Sequence, residues 1–76
     1  MTIDQFRSTL RHQPFQPFVI HTADGRSFRV DHSDFVAHSP GGRSVVVFRG
    51  DDSHSVLDLL LITELEVPAP DGNEAA

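Results

Sequence analysis

The chain has 76 residues with no cysteine and no lysine, and six arginines against eleven acidic residues give a formal net charge of −5. That length holds one domain with a thin core, burying roughly 60% of the surface its unfolded chain would expose. The missing cysteines exclude disulfides and thiolate metal sites. The negative balance excludes phosphate-driven nucleic-acid binding over the whole surface, but not a local arginine patch.

The start Met1-Thr2-Ile3-Asp4-Gln5 carries neither a basic stretch nor an apolar one, so it does not read as a secretory signal. The longest apolar run, Leu59–Ile62, is far too short to span a membrane. The expectation is a soluble, cytoplasmic protein.

Thr2 and Gln5 have capping-box spacing and predict a helix from Thr2 to about His12, ended by Pro14. Ile3, Phe6 and Leu10 form one apolar stripe on it, and Arg7 and Arg11 lie one turn apart on another face. So short a helix must dock on something to persist.

From Phe15 the apolar period changes to two. Phe18-Ile20-Thr22 and Arg26-Phe28-Val30 flank Asp24-Gly25. A two-residue loop would set Ile20 against Arg29. A three-residue loop, Ala23-Asp24-Gly25, sets Ile20 against Phe28 and Phe18 against Val30, which puts apolar partners on one face. The expected turn is type I closed by a bulge, with Gly25 left-handed.

Asp31–Asp34 reads as a bend and Phe35–His38 as a short strand, followed by the turn Ser39-Pro40-Gly41-Gly42. Arg43–Arg49 is the clearest strand, apolar on both faces and therefore central. After the turn Gly50–Ser53 come a strand at His54–Leu59, a corner at Leu60-Leu61 and a last strand at Ile62–Val67. One helix with about five short strands predicts a mainly β domain over residues 1–67, a small five-stranded bent-sheet barrel, with residues 68–76 as a disordered tail.

Two resemblances follow from these residues. The segments Gln13–Phe18, Ala23–Arg26, His38–Arg43 and Leu59–Leu65 resemble a group of short uncharacterised bacterial proteins that bring no known function. The order of elements is similar to the Sm-like or SH3-like small β-barrel, including the bacterial Sm-like RNA chaperones. The apolar alternation from Val19 to Gly25 matches the first motif of the Sm-like family, and Leu57 to Val67 can be laid on the second. The family's RNA-contacting pair falls on Asp58 and Leu59, and the glycine that bends its second strand is missing near Val30. The resemblance implies a barrel, and for RNA contact it implies an edge of the helix.

Candidate chemistry is sparse. The histidines at 12, 21, 32, 38 and 54 match no metal-ligand spacing and read as strand or surface residues. Asp31-His32-Ser33-Asp34 holds the residue types of a nucleophile triad, but extended neighbours point to opposite faces, so a self-bonded turn is the better reading. Asp51 and Asp52 read as a solvated turn. The apolar content of Leu57, Leu59, Leu60, Leu61 and Ile62 exceeds what one face of a small barrel needs.

The functional expectation is a non-enzymatic interaction or assembly module without cofactor. It forms a homo-oligomer whose subunit interface uses Leu57, Leu59, Leu61 and Ile62. The alternative is an Sm-like RNA binder contacting nucleic acid through Arg7, Arg11 and His12.

Overall fold

The computed structural model describes residues 1–69; the expected disordered tail therefore lies, beyond Ala69, outside the described residues. A single helix, α1 (Ile3–Leu10), opens the chain. Thr2 caps it as the spacing requires: its hydroxyl accepts from Gln5 N–H at 3.2 Å and its own N–H donates to Gln5 Oε1 at 3.1 Å.

Six strands follow in two antiparallel sheets. Sheet A has the order β2 (Ser27–Val30), β1 (Phe18–Thr22), β6 (Ile62–Glu66). Sheet B is the meander β3 (Val36–His38), β4 (Ser44–Phe48), β5 (His54–Asp58). The β1–β2 hairpin takes the register that buries one apolar face, Ile20 opposite Phe28 and Phe18 opposite Val30, and Gly25 has φ +87°. β4 is central in its sheet, as its two apolar faces require.

The five-stranded Sm-like or SH3-like barrel is overturned on both strand number and closure. The reason lies at the two crossings between sheets. Without a glycine near Val30, β2 does not bend onward; it stops, and a 3-10 turn at Ser33–Phe35 carries the chain to β3. A second 3-10 turn at Leu59–Leu61 returns it to β6. Each turn is capped by the side chain before it. His32 Nδ1 accepts from Asp34 N–H at 3.1 Å, and Asp58 Oδ1 accepts from Leu60 N–H at 2.9 Å. β3 is only three residues long and pairs with β4, while β2 pairs with β1 alone among the described residues.

The core lies between the sheets. Phe18, Ile20, Phe28, Val30 and Ile62 come from sheet A, and Val36, Val45, Val47 and Leu57 from sheet B, with Leu59 at the corner. Each such side chain contributes about 1.5–3 kcal/mol on burial. Phe6 is the one fully buried helix residue. Its ring meets Phe18 of sheet A edge-on at 6.3 Å and His38 of sheet B at 6.4 Å, so the helix is pinned to both sheets at once.

Candidate interaction site

A groove of about 320 Å³ beside β2 is lined by Ser27, Phe28, Arg29, Asp31, Phe35, the end of β4 (Val47 and Phe48) and the two residues after it, Arg49 and Gly50. Its origin is the shortness of β3. That strand pairs with β4 from Val45 to Val47, one residue short of Phe48, where β4 ends.

Antiparallel ladders alternate bonded and non-bonded pairs, which fixes what the groove is offered. Thr22 N–H donates to Arg26 O at 3.0 Å, so Ile20/Phe28 and Phe18/Val30 are also bonded pairs. The main-chain groups of Ser27 and Arg29 therefore point away from β1. On β4, Arg49 N–H donates to Ser53 O at 2.8 Å, so Arg49 and Val47 face β5. Phe48 then faces the β3 flank, where the same register brings Phe35, the last residue of the 3-10 turn, opposite it.

Three of the six arginines gather at this groove. The guanidiniums of Arg26 and Arg49 lie 5.4 and 5.9 Å from the centre of the Phe28 ring. Arg26 Nε donates to Asp24 at 2.9 Å and Arg29 Nε to Asp31 at 2.5 Å. Arg49 instead donates to two neutral hydroxyls, Ser53 at 3.3 Å and Ser55 at 2.6 Å. The Thr22 hydroxyl, followed by Arg26, holds the Asp24 carboxyl below its ordinary pKa. The Ser53 hydroxyl and N–H do the same for Asp51.

A second surface is the outer face of sheet B. Strand alternation puts Ala37, Val46, Phe48, His54 and Val56 there, with Val46 opposite Val56 and Phe48 opposite His54. Val56 is 64% exposed and Leu60, just past the β5 edge, 83%. A three-stranded sheet with apolar residues on both faces is unusual for a surface layer.

The sequence-predicted residues are placed as follows. Leu57, Leu59 and Ile62 are buried in the chain's own core, leaving Leu61 half-exposed beside the exposed Leu60. Arg7 is half-buried. It donates through Nε to His38 Nε2 at 3.4 Å and lies 3.8 Å from Asp4, while His38 Nδ1 is 2.8 Å from Ser39 O. Arg11 and His12 are exposed, and His12 Nδ1 bonds Pro14 O at 3.0 Å. The structure thus joins Arg7 to strand β3 rather than to Arg11 in an open cluster. Asp58, at the position of the Sm-like RNA-contacting pair, caps a turn.

The remaining candidates resolve into turns and pairs. His32 and Asp34 form the cap of the first 3-10 turn, and Asp51 accepts from Ser53 in the β4–β5 turn. His21 pairs with Glu66 at 2.8 Å across sheet A. Among the described residues, no group of three or more metal-ligating side chains converges, and no helix is long and apolar enough to cross a membrane.

Sequence reasoning missed the convergence of Arg26, Phe28 and Arg49. The spacing of Arg26 and Phe28 on one strand face was a partial signal; Arg49 reaches them only through the placement of one sheet against the other. Comparison with family models, with curated proteins and with solved structures finds no match.

Proposed function

We propose that the domain is a non-enzymatic assembly module that self-associates by covering the outer face of sheet B. The observation that carries this reading is the cross-strand pair Val46 and Val56, flanked by Phe48, on the solvent side of a sheet whose inner side already holds the core. The side chains gathered at the groove beside β2 are mainly arginines and phenylalanines, which bind rather than react.

Size sets the strength of such a contact. Two strands of five residues and one of three present roughly 210 Å² of flat face, while a stable pair buries about 800 Å² on each partner. The contact must therefore extend over the β5 edge to Leu60 and Leu61, and association is expected at micromolar concentration or weaker.

Sedimentation between about 10 μM and 1 mM tests this, with self-association as the expected result. Val56→Lys and Leu60→Glu should each shift the species to monomer without loss of the folded spectrum. A chain that stays monomeric at the upper concentration, or variants that associate unchanged, would overturn the reading.

A further inference from the structure

Sheet B ends at β5, which pairs with β4 alone among the described residues. We propose that this edge pairs with the same edge of a second copy, antiparallel and centred on Val56, so that His54 of each copy faces Asp58 of the other. The inference rests on the self-association reading above and names the strand and register through which two copies join.

The β4–β5 ladder decides which groups β5 offers. Arg49 N–H donates to Ser53 O and Leu59 N–H to Arg43 O, both at 2.8 Å, so Ser55 and Leu57 between them also bond β4. The main-chain groups of His54 and Val56, and the N–H of Asp58, therefore point away from the sheet. Outside the ladder, no backbone bond of His54 or Val56 occurs among the described residues. Val56 is 64% exposed, which leaves room beside it for another strand.

The register follows from the side chains. Two identical antiparallel strands meet about a two-fold axis. With the axis at Val56, all five residues of β5 are paired. The two Val56 residues exchange both of their N–H···O bonds, and each Asp58 N–H meets a His54 carbonyl. On the outer face the Val56 side chains touch, and each imidazole meets a carboxylate. A histidine donates and a carboxylate accepts, so the two ends of β5 complement each other. Asp58 uses Oδ1 to accept from Leu60 N–H, and its Oδ2 has no partner among the described residues. An axis at Ser55 would set Asp58 against Asp52, like against like, and one at Leu57 would leave His54 opposite Leu60, past the end of the strand.

Among the described residues, β6 is the other edge strand of five residues, and it lacks this complementarity. Self-pairing centred on Leu65 sets Glu64 against Glu66, which protects that edge by repulsion. Joining two β5 edges also sets two outer faces of sheet B side by side. The flat face open to the covering contact is then roughly doubled, nearer the area that a stable contact buries.

Two measurements on the full chain test the pairing. The first is amide exchange at low and high protein concentration. On association the Val56 amide is expected to gain about tenfold protection or more, while Ser55 and Leu57, already bonded to β4, change little. Stacking of outer faces alone leaves the Val56 N–H to exchange. The second is sedimentation of His54→Arg and His54→Glu. The arginine variant is expected to associate about fivefold more tightly and the glutamate variant about fivefold more weakly. Both effects should vanish in an Asp58→Asn background, which keeps an acceptor for Leu60 N–H, whereas an effect of net charge would persist there.

A chain that stays monomeric overturns the self-association reading, and the pairing with it. A chain that associates while the Val56 amide exchanges unprotected overturns the pairing alone. So do two His54 variants that act in the same direction, or effects that survive Asp58→Asn.

Discussion

A Cβ built on Gly42 would lie 2.9 Å from both Cβ and Cγ1 of Ile3, so a bare glycine is what lets the helix N-terminus rest on the β3–β4 turn. Gly42 also has φ +72°, a conformation that side-chain-bearing residues adopt at a cost. Its neighbour Gly41 meets nothing within 4 Å, and Gly25 has φ +87° with open space around it.

These three glycines separate strain from collision. Gly25→Ala carries backbone strain alone and is expected to cost about 1 kcal/mol. Gly42→Ala adds a clash with Ile3 and is expected to cost about 2–3 kcal/mol. Gly41→Ala is expected to lie within about 0.5 kcal/mol of the parent. Urea denaturation of the three variants checks the order, and a Gly42→Ala loss no larger than that of Gly25→Ala would contradict it.

Phe6 is the helix's buried anchor, touching Phe18 and His38. Phe6→Ala is expected to cost about 3–5 kcal/mol. A domain this small holds only about 4–10 kcal/mol in total, so the variant should be substantially melted at 37 °C. Circular dichroism against temperature reads this directly.

The corner cap Asp58 accepts from Leu60 N–H. Asp58→Ala is expected to cost about 1 kcal/mol, and Asp58→Asn, which keeps an acceptor, markedly less. Were Asp58 a ligand-facing residue with no structural role, both variants would melt with the parent.

The acid limb of the stability curve follows from Asp24 and Asp51. Their hydroxyl, backbone and arginine partners favour the ionised form, so each folded pKa lies below the ordinary value of 3.8. The stabilisation is complete above about pH 5 and is lost as the pH falls through the lowered folded values. Thermal midpoints from pH 6 to 2 should therefore drop most steeply below about pH 4, and Asp24→Asn should flatten part of that drop.

Much of the local structure is written in short-range signals. Thr2 and Gln5 announce the helix start, and the partners of Ile20 and Phe18 select a three-residue loop before any coordinates exist. What could not be read was whether the sheet closes. That depends on how β2 ends, and the missing glycine near Val30 is a hint visible only against a bent-strand template. Leu57, Leu59 and Ile62 are surplus to a single barrel face, which needs few residues. Two facing sheets need more, and these three fill the space between them. The groove was illegible because Arg49 and Phe28 are neighbours only across the sheets.

The strand order of sheet A sets the timetable of folding. The meander β3–β4–β5 is joined by short turns and can form from local chain alone, whereas β6 reaches β1 across forty-seven positions, from Val19 to Glu66. Closing so long a loop is entropically the costliest pairing in the molecule. In pulse-labelling exchange, amides of sheet B are thus expected to gain protection before those of β6. Until β6 arrives, the β1–β2 hairpin shows two open edges instead of one. That interval, rather than the finished domain, is when the chain is most exposed to pairing with the wrong strand.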